Sequence, residues 1–122
     1  MVLATADLRL RRRLHEDRGF TRSHALSEIF SALTGGNLAI RVEADAAAQT
    51  VEALAKDLDF TDLEPHEVLA ALKQARNRGV RGGRVHDYLH AVAAEKAKAR
   101  HLLVAGLHDF DGLTDSVNVQ LV

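Results

Sequence analysis

Cysteine is absent from this chain of 122 residues. Neither a disulfide framework nor a thiolate metal site can therefore exist, and the composition suits a reducing compartment such as the cytoplasm. Also missing is any excess of positive charge: 16 Lys and Arg stand against 17 Asp and Glu, for a formal net charge of −1. A grip on nucleic acid by overall basicity is excluded, so any basic surface must be local. No apolar run approaches the ~18 residues of a membrane-spanning helix. The first twenty residues carry Arg9, Arg11, Arg12, Arg13, Glu16 and Asp17, which is not the apolar core of a targeting segment. Internal repeats, low-complexity stretches and linkers are lacking too. What is present is the content of a folded protein, with 47% hydrophobic and 27% charged residues. A chain of this size buries roughly two-thirds of its unfolded surface, so residues 1–122 are expected to form a single, cytoplasmic, membrane-independent domain.

Hydrophobic spacing divides the chain into alternating elements. Residues 3–16 set Leu3, Leu8, Leu10 and Leu14 among arginines, which predicts a helix with a basic face. Gly19 ends it, and residues 19–23 are a short strand candidate. Ser23 then stands where an N-cap would, ahead of Leu26, Ile29, Phe30 and Leu33 in a helix closed by Gly35 and Gly36. Val42 to Asp45 open an alanine-rich helix with Ala48, Val51, Leu54, Ala55 and Leu58 on one face. A strand candidate at residues 60–63 precedes a helix entered through Pro65 and ended by Gly79. After the turn at Gly82 and Gly83, a long helix is expected from Arg84 to about Arg100. An apolar run over residues 101–106 reads as a buried parallel strand, and the alternation over residues 117–122 as an edge strand. Strands separated by helices imply βαβ units and a parallel sheet covered on both faces.

Three acids fall where such a sheet places its site, at or beyond the carboxyl ends of strands. Glu28 follows the first strand, Asp87 heads the long helix, and Asp109 follows the apolar strand. Converging carboxylates offer the oxygen ligands that a hard cation such as Mg²⁺ or Mn²⁺ requires, and such an ion can activate water and steady a phosphate in transit.

The segments around these acids resemble the motifs of the PIN family of small metal-dependent ribonucleases. Residues 23–34, SHALSEIFSALT, are similar to its second motif, in which a strand leads into a helix bearing an acidic ligand, here Glu28. Residues 82–91, GGRVHDYLHA, resemble the third, where an aspartate after a glycine turn heads the long helix, here Asp87. Residues 102–110, LLVAGLHDF, resemble the fourth, but Val104 and Gly106 depart from it and of its acidic pair only Asp109 stands. The likeness runs from about Gly19 to Val122. It implies a three-layer α/β/α sandwich with a short parallel sheet. It also implies hydrolysis of RNA phosphodiesters with Mg²⁺ or Mn²⁺ held by Glu28, Asp87 and Asp109, as in VapC-like toxins, which work as homodimers restrained by an antitoxin protein. The family's N-terminal strand, ending in its first catalytic aspartate, has no good counterpart. Residues 1–8, with Ala4 at the ligand position, are the nearest candidate, but they leave too few residues before the next strand. A downstream start or a truncation is the expectation, with the central strand missing or degenerate. Three carboxylates in place of four then imply weak or absent cleavage, with Asp7 or Asp111 as a substitute ligand if cleavage is strong. The alternative is a catalytically inactive PIN remnant that binds RNA or a protein.

Other patterns carry less. His86 and His90 flank Asp87 at i and i+4, superficially like a zinc-binding helix, but the glutamate and third ligand of that motif are missing, which favours surface histidines. Arg9, Arg11, Arg12 and Arg13 suit RNA phosphates or a solvated helix face equally. Residues 79–84 are glycine-rich and basic yet lack the lysine and hydroxyl of a phosphate loop. They read as a turn whose Arg81 and Arg84 help hold a phosphodiester. No Gly-x-Ser-x-Gly elbow supports a hydrolase triad at Ser23 and His24.

Overall fold

A computed structural model describes residues 19–35, 41–104 and 108–121. The helix expected over 3–16, the strand candidate at 1–8 with Ala4 and Asp7, the N-terminal arginines, Gly36 and Gly106 lie outside the described residues. Within them the chain is a mixed α/β structure with short parallel strand pairs. Strand β1 (Gly19–Thr21) lies parallel to β2 (Leu58–Phe60), in the register Gly19 to Leu58 through Thr21 to Phe60. The Thr61 N–H extends this ladder by donating to the Thr21 carbonyl at 2.9 Å. Strand β3 (His101–Val104) lies parallel to β4 (Asn118–Leu121), from His101 opposite Asn118 to Val104 opposite Leu121. Among the described residues these are two separate two-stranded sheets, where the sequence suggested one.

Between β1 and β2 run helices α1 (His24–Thr34) and α2 (Ala44–Ala55), packed against each other. The Val42 N–H, ahead of α2, donates to the Leu33 carbonyl of α1 at 2.9 Å. Helix α3 (Pro65–Gln74) begins with Pro65, and the Glu67 carboxylate reaches back to accept the Glu64 N–H at 2.9 Å. That reciprocal arrangement satisfies a donor which the first helical turn leaves free. A 3-10 turn (Ala75–Arg78) continues α3 and stops at Gly79, whose φ of 66° lies in the left-handed region that glycine enters at no steric cost.

Helix α4 (Arg84–Lys96) is the hub, packing on β1, β3, α3 and the 3-10 turn at His108–Phe110. Its buried Tyr88 and Ala91 join Ala71, Val80 and the fully enclosed Leu113 in the main core, with Val85, Leu89, Leu102 and Phe110 around them. At closest packing the interior of so small a core admits little rearrangement.

Three expectations are corrected by this geometry. Ser23 holds the N-cap position of α1 as expected but does not cap it with its side chain: its backbone is helical at φ −56°, ψ −34°, and its hydroxyl makes no cap bond. The second strand starts at Leu58, not at residue 60, because Leu58 continues the apolar face of α2 in sequence but pairs with Gly19 in space. Helix α4 stops at Lys96 rather than near Arg100. Lys98 turns to a φ of 56°, while the Lys98 and Ala99 N–H groups bond the carbonyls of Glu95 and Ala94, both at 3.0 Å. This is the Schellman closure that usually employs glycine, built here on a lysine.

Candidate acidic site

The acids singled out in the sequence sit on three elements. Glu28 projects from the middle of α1, Asp87 from the first turn of α4, and Asp109 from the 3-10 turn after β3. Asp87 is partly buried, and its carboxyl is raised above the usual carboxylate value, first by that burial and then by the negative charge of Asp109; Glu28 pushes the same way, while His90 and His86 partly offset the rise. All three acids therefore act within one electrostatic neighbourhood. They do not form a coordination sphere, since among the described residues no three His, Asp or Glu side chains lie close enough to hold a metal ion.

One reason is that Glu28 is already engaged. Its Oε1 lies 2.7 Å from His90 Nε2 and 3.7 Å from His24 Nε2, the latter one helical turn earlier on α1. A carboxylate only accepts, so His90 must carry its hydrogen on Nε2 in this arrangement. The His24 ring in turn stacks on that of His86, with centroids 6.2 Å apart and planes 20° from parallel. Thus the i and i+4 histidines of α4 do not share a ligand: His90 goes to Glu28 and His86 to His24. His86 is exposed, as expected, but the His90 side chain is only 19% exposed and forms part of the site.

The two arginines differ. Arg81 is exposed, whereas Arg84 donates from Nη2 to the Asp111 carbonyl. That bond ties the head of α4 to the segment just after Asp109, and so helps set Asp109 beside Asp87.

A second polar constellation had no signal in the sequence. Asp62, just beyond β2, accepts the Ser23 N–H at 2.7 Å on one oxygen and the Ser23 hydroxyl at 2.6 Å on the other. Lys96, at the end of α4, donates to the Asp62 carbonyl and to Glu67 Oε1, each at 2.6 Å. Hydrogen bonding from Ser23, with help from the charges of Arg22 and Lys96, holds the Asp62 carboxyl below its ordinary range. Glu67 is lowered chiefly by its bond from Lys96. The clasp joins the ends of β1 and β2 to α4 and so fixes where α1, with Glu28, leaves the sheet. A spacing of four along α1 signals the His24 and Glu28 pair; nothing local signals a partner 39 residues away for Ser23.

Glu28 and His90 also line a cleft of about 780 Å³ bordered by residues of β1, β3 and α4. Among the described residues no helix is long and apolar enough to cross a membrane. Comparison with known proteins finds no family model, no curated protein and no solved structure that matches the chain.

Proposed function

We propose that the chain is a PIN-like domain, an α/β/α sandwich, whose Glu28, Asp87 and Asp109 take Mg²⁺ or Mn²⁺ and act on RNA phosphodiester bonds. What supports this reading is the placement of three acids on three separate elements around the head of α4, where the carboxyl of Asp87 is raised by its partial burial and by the charges of Asp109 and Glu28. Gathered carboxylates that repel one another are in the situation a hard dication relieves, and their oxygen donors suit such an ion in type. Their geometry suits it less, because Glu28 is held by His90 at 2.7 Å and must exchange that partner before it can serve as a ligand. When bound, the ion supplies an activated water and stabilises charge on the phosphate. The chain's own residues do the rest. His90 orients Glu28, Arg84 keeps the Asp109 segment in place, and exposed Arg81 offers a guanidinium to a backbone phosphate. By the same resemblance the chain is a cytoplasmic toxin that pairs as a homodimer and is restrained by an antitoxin.

A second reading, that of an inactive remnant that binds RNA, is favoured by the lack of a ready three-ligand group among the described residues. The two are separated by assaying single-stranded RNA with Mn²⁺ for both cleavage and binding. The nuclease reading expects slow cleavage that Asp87→Asn abolishes while RNA binding persists; the remnant reading expects binding without cleavage. Cleavage undiminished in Asp87→Asn sinks the assignment of the site. A chain that neither cleaves nor binds RNA sinks both readings.

A further inference from the structure

We propose that the paired rings of His24 and His86 form a platform on which one base of a single-stranded RNA stacks, beside the acids assigned to its phosphate. The platform belongs to the ribonuclease reading above and depends on it. Its two rings come from different helices. His24 opens α1 and His86 stands in the first turn of α4, yet their centroids lie 6.2 Å apart with planes only 20° from parallel. Because the planes nearly agree, one flat ligand can lie parallel to both rings. Both residues are exposed, the His24 side chain by 50%.

Exposure sets this pair apart from the rings around it. Tryptophan is absent from the chain, and its one tyrosine, Tyr88, is buried in the core. Phe30 on α1 and His90 on α4 are partly buried, which leaves His24 and His86 as the exposed rings of the two helices that carry Glu28 and Asp87. A contact between two exposed imidazoles removes little apolar surface from water and so adds little to the fold. A nucleobase has a flat π-face whatever its identity, and stacking on an aromatic side chain, histidine included, is how unpaired RNA bases are held.

The place of the rings relative to the acids selects a nucleotide over other planar molecules. His86 adjoins Asp87 in sequence, and His24 precedes Glu28 by one helical turn, a rise of about 6 Å along α1. The His24 Nε2 lies 3.7 Å from the Glu28 carboxylate. Rings and carboxylates therefore adjoin, and a nucleotide is the ligand that offers a phosphate to a metal held by the acids and a base to rings beside them. Bases in a duplex are covered on both faces by their neighbours, whereas an unstacked base in a single strand is free to lie on the platform. Stacking tolerates every base, so the position should discriminate weakly among bases and strongly against a missing one.

The test uses the full chain and a single-stranded hexaribonucleotide, with affinity read by fluorescence anisotropy within seconds of mixing, ahead of the slow cleavage expected. The fluorescent base 2-aminopurine is placed at each position in turn, and an abasic nucleotide likewise. At one position the 2-aminopurine emission should fall on binding. His86→Ala should abolish that fall and weaken binding about tenfold, as the loss of one base stack does. His86→Phe, which keeps a ring without its nitrogens, should retain both the fall and the affinity. RNA abasic at that position should bind the natural chain as weakly as intact RNA binds His86→Ala, with no further loss when the two changes are combined. Affinity unchanged by His86→Ala overturns the platform alone. So does an equal loss with intact and abasic RNA, which marks a structural effect passed through Glu28. A natural chain that binds no single-stranded RNA overturns the ribonuclease reading and the platform with it.

Discussion

Cutting the Ser23–Asp62 clasp with Asp62→Ala should destabilise the fold by an amount that depends on pH in one direction only. Two donors from Ser23 meet the two carboxylate oxygens at 2.7 and 2.6 Å. Hydrogen bonds to a charged group are worth about 1.5–3 kcal/mol each when shielded. Here the residues are exposed, so solvent competes and the pair together contributes about 1–2 kcal/mol. For a chain of this size that lowers Tm by roughly 3–8 °C. The Asp62 carboxyl is held below its ordinary value of 3.8. A carboxyl depressed in the folded state adds stability that is complete above that ordinary value and is lost as pH falls through the folded one. Thermal melts of the natural chain and the variant, followed by circular dichroism, should therefore differ by a constant gap from pH 5 to 8 that closes below about pH 4. Ser23→Ala, which keeps the N–H bond, should show about half the gap. A gap that persists unchanged into acid would refute the reasoning, since a packing loss is blind to the protonation of Asp62.

Asp87→Asn should shift in the opposite direction. Because burial and like charges raise the Asp87 carboxyl, its ionised form opposes folding at pH values above the folded-state value, so the variant should show a higher urea midpoint at neutral pH and lose that advantage in acid. A lower midpoint at pH 7 would mean that Asp87 is a structural ligand of its surroundings and not a strained site residue. Leu113→Ala, at the fully enclosed centre of the core, should cost about 2–5 kcal/mol in urea unfolding. A loss below about 1 kcal/mol would place the core elsewhere.

Much of the helical architecture was legible from local spacing. Leu26, Ile29, Phe30 and Leu33 mark α1, and Gly79 marks the end of the 3-10 turn after α3, because periodicity and glycine act over one or two turns. What escaped was decided at a distance or by an atypical residue. Leu58 satisfies the period of α2 and the alternation of a strand alike, and only its pairing with Gly19 chooses between them. Lys98 closes α4 in a conformation that lysine rarely adopts, and local spacing alone carries the helix past it. Ser23 has the chemistry of a cap, and its diversion to Asp62 is a tertiary contact with no local trace. For the site, Glu28 and Asp109 could be picked out by their places after strands and Asp87 by its place after a glycine turn at the head of a helix, and their shared field at Asp87 fits that choice. The bond between His90 and Glu28, which keeps them from closing on a metal, joins residues 62 apart and was invisible.

Helix α4 serves both the acids and the cleft, and this determines which variants report on the acids alone. Its first turn presents Asp87 to the other acids, its middle presents His90 to Glu28, and its last turn lines the cleft with Ala93 and Ala94. His90 and Glu28 also line the cleft, so removing either disturbs the acid field and the cleft together, and a loss of function in those variants is ambiguous. Asp87 is not among the described residues that line the cleft. Asp87→Asn should therefore remove metal-dependent chemistry while it leaves the lining of the cleft unchanged. Arg22→Gln is not a clean reporter on the cleft, because the Arg22 charge also helps hold the Asp62 carboxyl low, so that variant reads on the Ser23–Asp62 clasp as well.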